Sequence, residues 1–144
     1  MKQNMDNELK LENQLCFPLY ICSKEIIKKY KPFLDEMDLT YTQYITMMVL
    51  WEEKEINVKE LGNHLFLDSG TLTPLLKKLE AKGYIERKKD KNDGRNLNIV
   101  VTEEGKKLKE KAKNIPQKIV KCLDLSEKDA LDLYNILYKI LKKI

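Results

Sequence analysis

The 144-residue chain contains no apolar run that approaches the roughly 18 residues of a membrane-spanning helix. Its start, Met1 to Lys10, is polar and mixed in charge, which is not the pattern of a secretory signal peptide. Both absences predict a cytoplasmic protein that does not associate with membranes. In that compartment its three cysteines should stay reduced unless one of them has a redox role.

Histidine is also scarce, since His64 is the only one in the chain. Metal binding requires several ligands at suitable spacing, and no such cluster accompanies His64. The sequence therefore predicts neither a metal site nor a cofactor, and His64 is interpreted as a surface or phosphate-side residue. Internal repeats and low-complexity linkers are absent as well, so residues 1–144 are predicted to form one domain.

Charge, in contrast, is abundant and unevenly placed. Charged residues make up 35% of the chain and the net charge is +4, with lysines concentrated in Lys77–Lys91 and Lys106–Lys121. Such clusters are either solvated helix faces or a surface for phosphate and other acidic partners. The second interpretation matters only if a cluster falls on a nucleic-acid-binding motif.

Two amphipathic helices are predicted in the first third of the chain. Apolar residues recur at helical spacing from Leu9 to Met37, with a bend or a restart at Pro18. Thr40 and Gln43 form a capping-box pattern that starts a second helix. The residues that this second helix is expected to bury are Tyr44, Met47, Met48 and Trp51.

The middle of the chain predicts two further helices joined by a tight turn. The first is short and covers residues 58–66. A turn at residues 68–70 then supplies N-capping side chains for a helix that ends near Lys82, with Gly83 as its C-cap. Pro74 is expected near the first turn of that helix, where a missing N–H costs least.

A β-hairpin and a C-terminal helical region complete the pattern. Residues 84–88 and 96–101 read as strands, and the polar tip between them carries an Asp93-Gly94 turn signal. Thr102 caps a lysine-rich helix that Pro116 interrupts. A final helix begins after a capping signature at residues 126–129, and its apolar stripe comprises Ala130, Leu133, Tyr134, Leu137, Leu141 and Ile144.

A short helix, a turn, a second helix and a hairpin with a basic tip follow the order of a winged helix-turn-helix. The predicted fold class is therefore mainly α with a small β-hairpin wing. The second helix of such a pair enters the major groove, and an arginine at the wing tip enters the minor groove. The candidate DNA-binding residues from this helix and the wing are Ser69, Thr71, Thr73, Lys77, Lys78, Lys89 and Arg95.

Several segments resemble motifs of the MarR family of regulators, and most of them point to its OhrR branch of organic-hydroperoxide-responsive repressors. The wing signature of the family is matched at Asp93-Gly94-Arg95 and residues 99–105. The OhrR-branch motifs are matched at Leu15-Cys16-Phe17, residues 39–44 and residues 67–80. The resemblance covers about residues 11–105, and it departs from the family at Gly94, where an acidic residue is frequent.

The resemblance implies a symmetric homodimer that binds an inverted-repeat operator in double-stranded DNA. N- and C-terminal dimerisation helices would lie at about residues 8–37 and 103–144, and the winged helix-turn-helix at about residues 40–102. In the family, the residues that match Asp93 and Arg95 act together in DNA binding, because the acid orients the base into the groove.

From the residues alone, Cys16 is either a small core residue packed among tyrosines or a redox sensor. The resemblance favours the sensor, because it implies that oxidation of Cys16 by an organic hydroperoxide releases the repressor from DNA. Phe17 and Tyr20 are assigned to the sensor pocket. The apolar residues that favour an organic peroxide over hydrogen peroxide are Phe17, Leu19, Met47 and Met48.

Two tyrosines further along the chain are the candidate hydrogen-bond partners of the thiolate. Phenol hydroxyls that donate to sulfur favour the anion, and a helix start near Pro18 would add positive dipole character. Tyr30 lies about 21 Å from Cys16 along a straight helix, so it can reach that thiol only from an antiparallel partner chain. The resemblance implies the same arrangement, with Tyr30 and Tyr41 reaching the sulfur from the other subunit.

The other two cysteines receive different assignments. Cys22 lies on another face of the helix, roughly 9 Å along the axis from Cys16, and is interpreted as buried packing. Two-cysteine members of the family carry a resolving cysteine in the C-terminal region, and Cys122 lies in a comparable region. Cys122 is therefore a candidate resolving cysteine, and the alternative is that a low-molecular-weight thiol caps Cys16.

Two rival functions remain open at this point. A regulator of the same fold could bind a small aromatic ligand in the dimer cleft, and independence of Cys16 would distinguish it from the redox repressor. A thiol peroxidase is the rival from the enzymes, and it needs an arginine or similar group beside its thiol to polarise the peroxide. The only arginines, Arg87 and Arg95, lie in the predicted wing, so no enzymatic activity is predicted.

Overall fold

The computed structural model of the chain describes residues 7–144. Those residues form two compact units, one made of residues up to Lys29 together with Asn114–Ile144 and the other made of Tyr30–Lys113. No helix in this described range is both long and apolar enough to cross a membrane. The single domain of residues 1–144 stays a prediction, and residues 1–6 lie outside the described range.

Helices make up most of both units. A short 3-10 helix at Leu11–Asn13 precedes the longest of them. The α-helices that lie entirely within the described residues are α1 (Cys16–Asp35), α2 (Tyr41–Glu53), α3 (Val58–Leu65), α4 (Ser69–Ala81), α5 (Glu103–Ala112), α6 (Ile115–Leu123) and α7 (Glu127–Leu141).

An antiparallel sheet with the strand order β1–β3–β2 belongs to the unit Tyr30–Lys113. The strands are β1 (Glu55–Asn57), β2 (Ile85–Lys89) and β3 (Leu97–Val101). Ile99 in the central strand pairs with Ile56 on one side and with Arg87 on the other. Ile99 and Val101 are buried, as their alternation predicted. The fold is mainly α with a small β-hairpin wing, which confirms the predicted fold class.

The edge strand β1 is the element that the sequence prediction missed. It is only three residues long, which is too short for any polarity pattern to stand out. Lys54, just before it, has a positive φ of 64°, and the carbonyl of Lys54 accepts the N–H of Val101 at 3.1 Å. The strand therefore exists because β3 supplies its hydrogen-bonding partners.

Capping side chains begin the helices where the sequence predicted them. At the start of α2, the Gln43 N–H donates to Thr40 Oγ1 and the Thr40 N–H donates to Gln43 Oε1. Thr102 caps α5 and Ser126 caps α7 in the same way, each accepting a backbone N–H. Pro116 lies in the first turn of α6, so it separates this helix from α5 as expected.

Helix α1 differs from the prediction in its start and in the placement of its prolines. It begins at Cys16 rather than at Leu9. Pro18 lies in the first turn, where backbone N–H groups have no intrahelical acceptor, so the helix continues through it. The interior proline is Pro32, which removes the helical hydrogen bond to the carbonyl of Lys28.

The expected position of Pro74 is wrong. Pro74 lies inside α4, beyond its first turn, and therefore deprives the carbonyl of Gly70 of its helical partner.

The predicted turn at Asp93-Gly94 is confirmed within a longer loop over residues 90–96 that joins β2 to β3. The Asn96 N–H donates to the carbonyl of Asp93 at 3.0 Å. Gly94 does not have a positive φ, whereas the C-capping Gly83 does, at 80°.

The core of the unit Tyr30–Lys113 confirms part of the predicted burial in α2. Tyr44 is 3% exposed and Met47 is completely buried. Met48 is 44% exposed and the prediction that it is buried is wrong, because consecutive helical residues point in directions about 100° apart. Other fully or almost fully buried apolar residues of this unit are Leu50, Leu61, Leu72, Leu76, Leu79 and Ile85.

Candidate nucleic-acid interface and thiol site

Helix α4 separates an apolar face from a polar one. Its buried residues are Leu72, Leu75, Leu76 and Leu79. All the predicted DNA-binding residues of this helix are exposed, namely Ser69, Thr71, Thr73, Lys77 and Lys78. Asp68 caps the helix, and the Thr71 N–H that donates to its Oδ1 at 2.7 Å holds the pKa of the carboxyl below its usual value. The hydroxyls and lysines are thus presented from a firmly capped helix that is anchored by its leucines.

The wing carries Lys89 and Arg95 with exposed side chains. In the loop that joins its strands, Asp93 Oδ1 accepts the backbone N–H of Arg95 at 3.0 Å. Among the described residues, the guanidinium of Arg95 has no acidic partner within ion-pairing distance. Asp93 therefore orders the backbone at Arg95, while the family resemblance implied an action on the arginine side chain.

A cavity of about 390 Å³ is lined by residues of both α4 and the wing. Helix α4 is called the recognition helix, because it is the helix expected to enter the major groove. Ser69, at the start of α4, and Arg95, in the wing loop, both line this cavity. Lys59 and Asn63 of α3 line it as well, and the sequence prediction missed both. Their spacing of four residues on one helix was the available signal, because it places them on the same face.

Arg87 stabilises the attachment of the wing to α4 rather than serving as a free cation. Its Nε donates to Glu80 Oε2 at 2.8 Å, and its backbone N–H donates to Glu80 Oε1 at 3.2 Å. These hydrogen bonds lower the pKa of the Glu80 carboxyl. The sequence placed Arg87 in the wing correctly but had no signal for this partner, which lies on a different element.

Several lysines of the second cluster, Lys106–Lys121, are paired with acidic side chains of the same helix. Three of its lysines form ion pairs of 2.7–2.9 Å with glutamates of the preceding helical turn: Lys106 with Glu103, Lys107 with Glu104, and Lys113 with Glu110. This part of the cluster is therefore a paired, solvated helix face.

The thiols of all three cysteines are exposed. Cys16 is the first residue of α1, which places it at the positive end of the helix dipole. Phe17 is 39% exposed and Tyr20 is 58% exposed. Cys22 is also exposed, so the prediction of buried packing is wrong for the single chain. Cys122 lies at the end of α6.

The predicted thiolate partners lie in one aromatic cluster. The ring centroids of Tyr30 and Tyr41 are 5.0 Å apart in an edge-to-face arrangement. Tyr44 completes the cluster, 5.9 Å from Tyr30 and 6.2 Å from Tyr41. The sequence treated Tyr44 only as a core residue, although it follows Tyr41 by one helical turn on α2. Two phenols that were assigned to a single sulfur are thus neighbours in the structure.

Burial raises the pKa values of these phenols above their ordinary value near 10. It raises the pKa of Tyr30 to about 12, with smaller contributions from the neighbouring Tyr41 and Tyr44. Burial also raises the pKa of Tyr41 and that of Tyr44. Even an ordinary phenol is protonated at physiological pH, so the hydroxyls are available as hydrogen-bond donors.

A pH titration tests this environment. A phenol whose pKa is higher in the folded state contributes stability below about pH 10, which is lost as the pH rises toward about 12. We expect Tyr30→Phe to remove the last tyrosinate step in an ultraviolet titration and to flatten the alkaline loss of unfolding free energy. Tyr20→Phe, which removes an exposed ring, is the matched control. Loss of an ordinary step near pH 10 in Tyr30→Phe would contradict the expectation.

Met47 and His64 were also given roles from the sequence, and the structure shows how exposed each of them is. The apolar set that was expected around the thiol includes Met47, and this part of the prediction is wrong because Met47 has no exposed surface. His64 is exposed at the end of α3, in agreement with its assignment to the surface. Within the described residues, no group of three or more His, Cys, Asp or Glu side chains is arranged to hold a metal ion.

Comparison with known proteins connects this geometry to characterised regulators. The profile of the transcriptional regulators SarA/Rot matches residues 28–112. The organic hydroperoxide resistance transcriptional regulator of Bacillus subtilis is 46% identical over 99% of this chain and 97% of its own length. The regulator SarZ of Staphylococcus saprophyticus is 50% identical over 92% of this chain and 91% of its own. Reduced, DNA-bound AbfR has a TM-score of 0.78 and 34% identity, covering 99% and 98% of the two chains.

The helix pair, the wing and the basic face together define a winged helix-turn-helix transcriptional regulator. The Bacillus and Staphylococcus relatives are named as transcriptional regulators, and AbfR has been solved bound to DNA. The chain belongs to the MarR-like family of SarA/Rot regulators, in the branch of the organic hydroperoxide regulators, as the motif resemblance indicated.

Proposed function

We propose that this protein is a cytoplasmic repressor that leaves its operator when an organic hydroperoxide oxidises Cys16. The observation that carries the proposal is the contact between Tyr30 and Tyr41, two half-buried phenols that can donate hydrogen bonds. A pair of donors of this kind is what a thiolate sensor requires. The relatives support a redox response at cysteine, since one is named for organic hydroperoxide resistance and AbfR has been solved in reduced, overoxidised and disulfide-formed states.

The repressor is a homodimer in this proposal. Helix α7 has no buried residue in the single chain, and it exposes a large apolar surface. Its large apolar side chains that are at least 43% exposed are Leu131, Leu133, Tyr134, Ile136, Tyr138 and Ile140. A soluble protein covers such a surface, and a second copy of the chain is the simplest cover. A two-fold dimer carries two winged domains, which suits an inverted-repeat operator in double-stranded DNA.

The sensor site is shared between subunits. Tyr30 follows Cys16 by fourteen residues in α1, which corresponds to about 21 Å along a helix. The phenols of Tyr30 and Tyr41 therefore donate to the thiolate of Cys16 of the partner subunit. Phe17 and Tyr20, which are exposed in the single chain, line the pocket once the two subunits associate.

The chemistry is a two-electron oxidation of sulfur. The Cys16 thiolate attacks the terminal oxygen of the hydroperoxide, an S–O bond forms, and the O–O bond breaks. The departing alkoxide takes up a proton and leaves as an alcohol, while the cysteine becomes a sulfenic acid. A thiol then condenses with the sulfenic acid, which forms a disulfide and releases water.

Cys122 of the partner subunit is the candidate for that second thiol, and a low-molecular-weight thiol is the alternative. Exposure of Cys122 leaves it free to react, and one solved structure of AbfR is of a disulfide-formed protein. Non-reducing gel electrophoresis after peroxide treatment distinguishes the two. A covalent dimer that disappears in Cys122→Ser supports the resolving role. A protein that stays monomeric on the gel and gains the mass of the added thiol contradicts it.

An operator-binding assay tests the function as a whole. The probe is a DNA duplex that the reduced protein selects from a random-sequence library. We expect treatment with an organic hydroperoxide to weaken binding at least about tenfold, which corresponds to about 1.4 kcal/mol. Equal affinities before and after verified oxidation of Cys16 would contradict the proposal.

A further inference from the structure

We infer that Trp51 is a positioning residue that couples the oxidation state of Cys16 to the wing. The inference rests on the proposed function, because it concerns how a change at the sensor thiol reaches the DNA-binding residues. It is carried by contacts within the unit Tyr30–Lys113, where a continuous series of packed and hydrogen-bonded groups leads from the phenols to the wing strands.

The series begins at Tyr44, which contacts both proposed thiolate partners. Its ring lies 5.9 Å from that of Tyr30 and 6.2 Å from that of Tyr41. On its other side, the ring of Trp51 is edge-on at 6.5 Å. Tyr44 is only 3% exposed. In such close packing, reorientation of Tyr30 or Tyr41 displaces Tyr44 and with it Trp51.

Trp51 then bonds directly to the base of the wing. Its indole Nε1 donates to the carbonyl of Gly105 at 2.8 Å, across 54 residues of sequence. Gly105 lies in the first turn of α5, and a Cβ there would stand 2.2 Å from the carbonyl oxygen of Tyr84 and 2.8 Å from Val101 Cγ2. Tyr84 precedes β2 and Val101 ends β3, so Gly105 abuts the roots of both wing strands.

The base of the wing is also hydrogen-bonded to the segment that follows the recognition helix α4. The hydroxyl of Thr102 donates to the carbonyl of Gly83 at 2.6 Å, and its backbone N–H donates to the carbonyl of Tyr84 at 3.1 Å. The Gly105 N–H in turn donates to Thr102 Oγ1 at 3.1 Å. Since Gly83 follows the C-terminus of α4, a shift at Gly105 acts on the recognition helix as well as on the wing. The hydrogen bond from the Trp51 N–H to the carbonyl of Gly105 joins the base of the wing to the aromatic cluster.

Trp51→Phe tests the coupling, because it keeps an aromatic ring and removes the N–H donor. With the selected operator duplex, the reduced variant should bind within about threefold of wild type. Oxidation should weaken its binding no more than about threefold, against at least about tenfold for wild type. Thiol titration of Cys16 verifies that both proteins are oxidised to the same extent.

Thr46→Val is the matched control, since Thr46 also lies on α2 and its hydroxyl donates a buried hydrogen bond of 2.7 Å, to the carbonyl of Thr42. It should keep the full response to oxidation. A tenfold response retained in Trp51→Phe would overturn the inference and leave the proposed function intact. Equal reduced and oxidised affinities in wild type would overturn the proposed function, and the inference with it.

A second measurement needs no Trp51 variant. Trp51 is the only tryptophan of the chain, so the protein gives one indole N–H resonance. We expect this resonance to shift and to lose protection from solvent exchange when wild type is oxidised, and to stay unchanged in Cys16→Ser. An indole signal that is unaltered by oxidation in wild type would show that the hydrogen bond to Gly105 takes no part in the response.

Discussion

Cys16→Ser is expected to remain bound to its operator after treatment with an organic hydroperoxide. In the proposed sensor site, a serine hydroxyl keeps a polar atom near the phenols of Tyr30 and Tyr41 of the partner subunit, but it cannot form a sulfenic acid. Binding of the variant should change less than about twofold, while wild type loses at least about tenfold. The measurement is operator affinity before and after peroxide, on protein whose thiols have been titrated.

Cys22→Ser is the matched control for this result. Cys22 lies on the same helix as Cys16 and its thiol is exposed too, so a general effect of losing a surface cysteine would appear in both variants. The control should respond as wild type does. Release of Cys16→Ser by peroxide would refute the sensor assignment and would favour a regulator that answers to a bound ligand.

Arg95→Ala is expected to weaken operator binding by about tenfold to a hundredfold. The Arg95 guanidinium is exposed on the wing and shares a cavity with Ser69 of the recognition helix, so it can enter a groove without giving up an ion pair. Loss of one arginine that reads a groove costs about 1–3 kcal/mol. Operator affinity at several salt concentrations measures the effect, and the salt dependence should become shallower.

Lys107→Ala controls for a simple change of surface charge. Lys107 is exposed like Arg95, but it pairs with Glu104 at 2.9 Å on the helix after the wing. Its replacement should leave operator affinity within about twofold. Thermal unfolding of both variants should match wild type, since surface substitutions of this kind change stability by about 0.5 kcal/mol or less. An unchanged affinity in Arg95→Ala would remove this residue from the DNA interface.

Local signals predicted the DNA-reading helix well. Asp68 and Gly83 mark its two ends, and the observed helix, Ser69–Ala81, lies between them. The reason is physical: an N-cap carboxylate and a C-terminal glycine satisfy backbone groups within a few residues, so their effect does not depend on distant parts of the chain. Thr40, whose capping box with Gln43 is complete, is a second example.

Predictions that depended on distant partners fared less well. Strand β1 has no signal of its own and forms because β3 lies beside it. Met48 was assigned to the core by its apolar character, yet the packing of α2 around Met47 leaves it largely exposed. Cys22 was assigned to buried packing, yet it is exposed in the single chain. The errors at Met48 and Cys22 concern which face of a helix is covered, and only neighbouring elements decide that.

At the candidate site, too, local signals predicted some features and the packing of distant elements decided the others. Residue types and spacing were enough to name Cys16, Tyr30 and Tyr41, and the family motifs assigned them to one sensor. Their order in the sequence does not reveal that the tyrosine rings meet, nor that Tyr44 joins them to Trp51.

The sequence by itself determined the class of regulator and the ends of most helices, because capping, periodicity and motif chemistry act over a few residues. The tertiary structure decided that Arg87 is held by Glu80, while the guanidinium of Arg95 has no acidic partner among the described residues, and that Trp51 is hydrogen-bonded to Gly105 at the base of the wing. Those pairings join residues on different elements, and only packing of the folded chain brings them within hydrogen-bonding distance.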